Sequence, residues 1–373
     1  MSNKKFNIAF FGSSIVSAYW NGAATYYRGI VKALHRLGHH ITFYEPDIYE
    51  RQRHRDIPDP DYCDVVVYKK NKDLLSSLLL KAQRESDIII KTSGVGAFDR
   101  FLEAELPRLK NENNLILFWD VDAPATLERM QNDSSDPFIH QLPHYDCILT
   151  YGGGTPVVRA YRNYGASLCV PIYNALDTDT HYPVPPDKKY EAHLSFLGNR
   201  LPDREKRVEE FFIQPARKIP DKNFIIGGSG WEDHPLADNI RHVGHVYTAA
   251  HNAFNSSPLA VLNISRDSMA KYGYSPATRV FEAAGAAACI ITDHWEGIEM
   301  FFEPGEEILI ARDGNEVTEI LRKLTPEQAR KTGRAAYHKA LQKHTYRQRA
   351  ELLDEILSQA KRDHFITIET QTL

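Results

Sequence analysis

Ser275-Pro276-Ala277-Thr278-Arg279-Val280-Phe281-Glu282-Ala283-Ala284-Gly285 is followed by the apolar run Ala288-Cys289-Ile290-Ile291-Thr292. Together they read as a helix that opens abruptly and feeds a buried strand. Ser275 is a good N-cap residue, because its hydroxyl can accept from an orphan backbone N–H. Pro276 suits the first helical position, where its missing N–H costs nothing. The first turn of such a helix presents free N–H groups and the positive end of the helix dipole, an arrangement suited to an anion. Arg279 adds a permanent planar cation, and Glu282, one turn on, shares its face. The axial distance from Pro276 to Glu282 is roughly 9 Å. That separation suits a nucleotide whose diphosphate rests on the helix start while its ribose hydroxyls meet a carboxylate. The plainer alternative is a surface helix with an Arg–Glu pair.

The same helix-then-strand grammar runs through the chain. Phe6–Phe11 is a buried-type strand ending at Gly12. A loop leads to Gly22. Tyr27, Ile30, Val31, Leu34 and Leu37 then fall at helical spacing until Gly38. Ile41–Tyr44 follows, completing a βαβ unit of the kind that makes parallel sheets. The GxGxxG spacing of a dinucleotide site is absent. Gly12, Ser13 and Gly22 mark a long open loop where an α/β protein places a ligand. Further strands are expected at 65–68, 87–91, 115–119, 147–150 and 167–170, with helices at 74–84 and 155–163. Residues 171–192 are proline-marked and polar, as a linker is. The pattern then restarts, with strands at 193–198, 223–227, 259–264, 289–292 and 307–310. A helix is expected at 205–212, and a helical tail at 326–361. The fold class is therefore α/β, in two successive halves.

Composition narrows the function. The 373 residues are 42% hydrophobic and 25% charged, with a net charge of -4. Two domains are the natural reading. The charge argues against nucleic acid as principal partner, which needs a basic excess. Cys63, Cys147, Cys169 and Cys289 stand singly and read as buried hydrophobes. The N-terminal apolar run is a strand rather than a signal peptide, and no run is long enough to span a membrane. The expectation is a cytoplasmic protein.

Several clusters carry possible chemistry. Gly198-Asn199 with Arg204 and Arg207 joins a glycine turn to guanidinium groups, a phosphate clamp or a surface charge cluster. Asp120 and Asp122 follow an apolar strand, where carboxylates serve acid–base or metal chemistry; Asp122 could equally cap a helix. Asp177-Thr178-Asp179 has no preceding strand and reads as a turn. HxxxH occurs at His35/His39, astride Gly38, and at His140/His144, with Pro143 between. Neither puts two imidazoles on one regular helix face, so no metal site is assigned. His242 and His245 sit around Val243-Gly244, and Trp231 follows the glycine turn Gly227–Gly230; all three could border a base pocket and read first as structural.

In order, Phe196-Leu197-Gly198-Asn199 with Arg204, Val261-Leu262-Asn263-Ile264-Ser265-Arg266, Arg279-Val280-Phe281-Glu282-Ala283-Ala284 and Phe302-Glu303-Pro304-Gly305-Glu306-Glu307 resemble the CgeB-like, spore-maturation-type GT-B glycosyltransferases. His344-Thr345-Tyr346 with Arg349 extends the match; the first half matches only in topology and in its Gly-loop-helix start. The resemblance implies two Rossmann-like domains facing a cleft: residues 1–170 for the acceptor, 171–345 for a nucleotide sugar, and a helix at 346–373 crossing back. It implies sugar transfer from a nucleotide-diphosphate donor, UDP by class frequency, to a hydroxyl acceptor such as a saccharide, glycoconjugate or small molecule. Gly198, Asn199, Arg204, Arg266, Ser275, Thr278, Arg279 and Glu282 would hold the donor, Asp120 or Asp122 would be the base, and no metal or other cofactor would be needed. A nucleotide-sugar epimerase and a non-catalytic sugar-binding module are the alternatives. Two features depart from pattern. Tyr274 stands where a related retaining class has a second Glu, and Gly285-Ala286-Ala287-Ala288-Cys289 replaces a usual Cys-Gly turn.

Overall fold

The computed structural model describes residues 5–19 and 21–371. The chain forms two units. One runs up to Tyr173 and resumes at Tyr346; the other is Asn174–Thr345.

In the first unit, β1 (Asn7–Phe11), β2 (His40–Pro46), β3 (Asp64–Tyr68), β4 (Ile88–Thr92), β5 (Leu115–Asp120), β6 (Cys147–Thr150) and β7 (Cys169–Pro171) form one sheet. Its order is β3-β2-β1-β4-β5-β6-β7, and every pairing is parallel. β4 and β5 are buried along their whole length, which is why they read as unbroken apolar runs rather than alternating ones. The strand order reverses between β1 and β4, so the loops at the carboxyl ends of these two strands flank a switch point.

The loop after β1 departs from the open loop expected. Ser13, Ser14 and Ser17 are buried. The Ser13 hydroxyl donates to Asn21 Oδ1 at 2.9 Å, Ser14 donates to Glu45 at 3.0 Å, and the Ile15 N–H donates to Glu45 at 2.7 Å. A buried carboxylate on β2 gathers the loop, and the Ser17 hydroxyl donates to His54 O at 2.7 Å. Gly12 is there because a Cβ would lie 2.4 Å from the Phe43 ring. Gly22 is exposed.

The second unit repeats the plan with β8 (Leu194–Leu197), β9 (Phe224–Gly227), β10 (Ile240–His242), β11 (Ala260–Asn263), β12 (Ile290–Asp293) and β13 (Leu309–Ala311). The order is β10-β9-β8-β11-β12-β13, again parallel throughout. This is the Rossmann order, reversing between β8 and β11. Leu194, Phe196, Phe224, Ile226, Leu262 and Ile291 lie in one buried core with Phe212 and Trp231. β10 was not expected, because Ile240 is its only buried residue and an edge strand of three leaves no apolar run. The helix foreseen at 205–212 begins at Pro202 and continues to Lys218 through a wide turn at Glu209–Ile213. Pro215 explains that turn: it has no N–H for the carbonyl four residues back, and the Gln214 N–H reaches Glu209 O instead.

The helical tail is two helices, Pro326–Lys343 and Tyr346–Gln371. The former opens with a reciprocal Thr325–Gln328 capping box. The latter belongs to the first unit. The Tyr346 ring fills the space a side chain would need at Gly29, Asp354 Oδ1 lies 3.1 Å from His39 Nε2, and Lys361 donates to Asn113 O at 2.6 Å. His39 thus has a structural partner.

Candidate functional site

The second unit gathers its chemistry where β8 and β11 diverge. β8 ends in Gly198-Asn199 and β9 in Gly227-Gly228-Ser229-Gly230, and the two turns interlock. The Gly198 N–H donates to Gly227 O at 2.9 Å, Asn199 Oδ1 accepts from the Ser229 N–H at 3.0 Å, and Trp231 Nε1–H donates to Gly198 O at 2.7 Å. Gly228 adopts φ +119°, and a Cβ there would lie 2.3 Å from Gly198 O. His242 Nε2 lies 3.0 Å from Gly228 O. Trp231 and His242 therefore brace the turns. Asn199 does so too, with the side chain that was expected to meet the donor.

Two guanidinium groups converge on Gly198. A Cβ there would meet Arg204 Nη1 at 2.9 Å and Arg279 Nη2 at 3.3 Å. Glycine is what lets both cations reach the end of β8. The Arg279 guanidinium lies 5.5 Å over the Phe196 ring and has no carboxylate in ion-pair contact among the described residues. Burial, and then the charge of Arg204, pull its pKa down to about 10. Two cations held together in a partly dehydrated place are an arrangement suited to an anion.

Arg207, the other guanidinium of this cluster, is committed elsewhere. It pairs with Asp293 at 2.5 Å and with Asp267 at 3.3 Å. Arg266 lies half-buried just past β11, immediately before the helix Asp267–Tyr272.

The Arg–Glu helix starts later than its sequence suggests. It spans Thr278–Gly285 with Ala277 at the N-cap. The Ser275 hydroxyl turns back to donate to Gly273 O at 2.8 Å and caps nothing. The helix opens at Thr278 rather than at Pro276, so Ser275 lies too far upstream to reach its free N–H groups. Thr278 donates its hydroxyl hydrogen to Asn174 Oδ1 at 3.1 Å, and Asn174 in turn donates to Pro276 O at 3.2 Å. Ser275 and Thr278 thus shape the segment with their hydroxyl protons rather than offering them to a ligand. Arg279 falls at the second helical position and Glu282 one turn further in, with its side chain 16% exposed. Beneath them the His344 ring lies 5.6–5.8 Å from those of Phe281, Phe301 and Phe302. Tyr274 takes φ +47° and donates to Glu296 at 3.1 Å.

Two histidines that the sequence reading passed over flank Glu282. His181 Nε2 lies 4.0 Å from Glu282 Oε1, and the His181 and His251 ring centroids are 6.0 Å apart. Burial lowers the His251 pKa against the opposing pull of Glu282. No motif announces them. His181 lies among the linker prolines, and His251 sits on the helix Thr248–Ser256, which carries no strong pattern.

In the first unit, Asp120 closes β5 and is fully buried. It accepts from the Asp122 N–H at 2.9 Å, from Thr126 Oγ1 at 3.1 Å and from the Tyr161 hydroxyl. Burial raises its pKa. With its oxygens occupied by protein donors and no exposure, Asp120 is a structural residue, which corrects its assignment as a base. Asp122 is half-buried at the N-cap of the helix Ala123–Asn132 without a side-chain cap bond.

A family model described as "Glycosyl transferase-like" matches residues 204–355. No curated protein matches the chain by sequence. Sucrose-phosphate synthase from Thermosynechococcus elongatus superposes with a TM-score of 0.68 at 16% identity, covering 95% of this chain and 99% of that one. Anabaena HepE, solved with UDP-glucose, gives 0.64 at 13% identity, covering 95% and 100%. An alpha-glucosyltransferase solved with UDP-glucose and DNA containing an abasic site gives 0.69 at 12% identity, again covering 95% and 100%. No helix among the described residues is long and apolar enough to cross a membrane. The fold of this chain is the GT-B fold of glycosyltransferases, and the model for glycosyl transferase-like proteins matches it from Arg204, through Arg279 and Glu282, into the last helix.

Proposed function

We propose that the protein transfers a sugar from a UDP-sugar to a hydroxyl acceptor, as a metal-independent GT-B glycosyltransferase of the CgeB-like type. One observation carries the reading. Arg204 and Arg279 meet at Gly198, while Glu282 stands one turn further along the helix from Arg279. The diphosphate lies against the two guanidinium groups and the first turn of the helix, and the ribose hydroxyls donate to Glu282. As the glycosidic bond breaks, charge grows on the terminal phosphate. The two cations favour that state over the bound donor, which is what lowers the barrier. They supply the positive charge a divalent ion would otherwise bring, so no metal or further cofactor takes part. UDP is favoured because UDP-glucose complexes recur among the structural neighbours.

Asp122 is the first-unit carboxylate assigned to deprotonate the acceptor. The alpha-glucosyltransferase neighbour was solved in complex with DNA, but a net charge of -4 favours a saccharide, a glycoconjugate or a small molecule in a cytoplasmic setting. The test is incubation with UDP-glucose and other UDP-sugars, following free UDP with and without candidate acceptors. Acceptor-accelerated UDP release is expected. An isomerised sugar without release would favour an epimerase, and binding without turnover would favour a sugar-binding module. Failure of UDP to bind at all would end the proposal.

A further inference from the structure

His181, His251 and Glu282 each offer a ligand atom, and these atoms lie within 4.8 Å of one another. The surroundings fix which imidazole nitrogens face inward. His251 Nε2 lies 3.2 Å from Val246 O, a carbonyl that can only accept, so Nε2 carries the hydrogen. Nδ1 of a neutral His251 is then a bare lone pair, and it has no hydrogen-bond partner. Thr180 Oγ1 lies 3.3 Å from Asp177 O and 2.9 Å from His181 Nδ1; in the metal-binding tautomer the hydroxyl donates to the carbonyl and accepts from Nδ1–H. That leaves Nε2 of His181 bare as well. His181 is 3% exposed, and its Nε2 is buried without a hydrogen-bond partner. Two inward, unpartnered imidazole nitrogens facing a carboxylate are costly in an empty protein interior.

The scaffold around these atoms is held from two sides. Asn252, next to His251, donates to Thr180 O at 3.0 Å and accepts from the Tyr182 N–H at 3.3 Å, clamping the segment that carries His181. Gly285, one turn past Glu282, lets that segment lie against the helix; a Cβ there would lie 3.1 Å from the His181 backbone oxygen and 2.4 Å from Leu176.

We propose that His181 Nε2, His251 Nδ1 and Glu282 bind one divalent cation of the zinc class. Two neutral imidazoles and one carboxylate are a donor set zinc takes with a fourth position open to water. Imidazole excludes calcium and magnesium, which want oxygen. The outer partners, Val246 O and the Thr180 hydroxyl, orient each ring as metal-bound histidines require. Tetrahedral ligands on bonds of about 2.0–2.2 Å lie roughly 3.3–3.6 Å apart, so shifts of about 1 Å close the site. If Glu282 also serves the donor ribose, a clause that rests on the function proposed above, ion and donor exclude one another.

The experiment titrates Co2+ into the full chain and follows its visible bands. One equivalent should give the intense absorption of a tetrahedral site, displaced by Zn2+. His181→Gln and His251→Gln, which keep volume and polarity, should each weaken binding at least tenfold with melting temperatures near the parent's. His35→Ala, on an exposed helix end, should change nothing. Absence of the bands, or bands that survive both Gln variants, overturns the site. UDP binding measured without metal reports on the donor reading by itself. A protein that takes UDP but no Co2+ refutes the metal site alone; one that takes Co2+ with the expected variant pattern but no UDP upholds the site and refutes the donor reading.

Discussion

Replacing Arg279 by Met should stabilise the free protein and weaken its hold on UDP, two effects of opposite sign. Arg279 is a dehydrated cation beside a second cation, with no carboxylate pair among the described residues. Burial and the Arg204 charge pull its pKa down to about 10, a penalty of roughly 3 kcal/mol at about 1.4 kcal/mol per unit. At pH 7 both folded and unfolded states carry the proton, so the penalty is fully present. Folding stability recovers it only as pH rises above about 10, towards the ordinary value of an unfolded arginine. Methionine removes the charge, keeps the length, and leaves its sulfur over the Phe196 ring. Loss of the cation–π contact returns about 1 kcal/mol of the gain. The net is about 1–2 kcal/mol of added stability, or about 2–8 °C in the melt of a unit this size. UDP, whose terminal phosphate carries the full product charge, should bind about 10- to 150-fold more weakly, as the loss of one charged hydrogen bond implies. Melting curves with and without UDP, alongside calorimetry, measure both. A variant that melts lower and binds UDP as well as the parent would refute the reasoning and make Arg279 a structural residue.

Three further outcomes follow from the same geometry. Glu282→Gln should weaken donor binding about tenfold or more with a melting temperature within about 1 °C of the parent, because it removes charge from a ribose ligand rather than from the core; an unchanged donor constant with a lowered melt would mark Glu282 as structural. Asp120→Ala should destabilise by about 2–4 kcal/mol, since it orphans the Asp122 N–H and the Thr126 and Tyr161 hydroxyls in a fully buried place. Asp120→Asn should retain transfer in a UDP-release assay, where a base would lose it. Gly228→Ala must accommodate both a positive φ and a backbone oxygen 2.3 Å away, so a loss of about 2–4 kcal/mol is expected by denaturant titration.

The fold was largely legible because parallel strands buried on both faces leave unbroken apolar runs, as at Ile88–Thr92 and Leu115–Asp120. Ile240–His242 was not, because an edge strand of three has one buried side chain to show. The anion site was legible in part. Arg279 and Glu282 share a helix, so their spacing is written in consecutive residues. Asn174, His181 and His251 come from separate segments, and no local period can bring them to mind. The capping roles of Ser275 and Pro276 failed for a local reason: the helix opens two residues later, at Thr278, and the backbone of Gly273 and Tyr274, both at positive φ, supplied the hydroxyl with a nearer acceptor. Asp120 failed for a tertiary one, since Tyr161 and Thr126 reach it from the following helices.

The two roles drawn for Glu282 make one prediction about metals that neither makes alone. A transfer reaction whose leaving group is held by Arg204 and Arg279 should persist in excess chelator, since no step needs an ion. If zinc captures Glu282 through His181 and His251, the same reaction should slow on adding Zn2+, and the form of the slowing is fixed. Ion and donor compete for the free protein, so the apparent KM for the UDP-sugar should rise linearly with free Zn2+ from its value in chelator while kcat stays constant. His181→Gln should keep parental kinetics in chelator and lose the Zn2+ effect, because it removes an ion ligand and leaves the ribose ligand in place. Initial rates across donor and free Zn2+ concentrations measure this. Activity lost in chelator and restored by Zn2+ would mean that the ion assists the donor, and the exclusion argued from a shared carboxylate would be wrong. A fall in kcat at constant KM would place the inhibiting ion elsewhere on the protein.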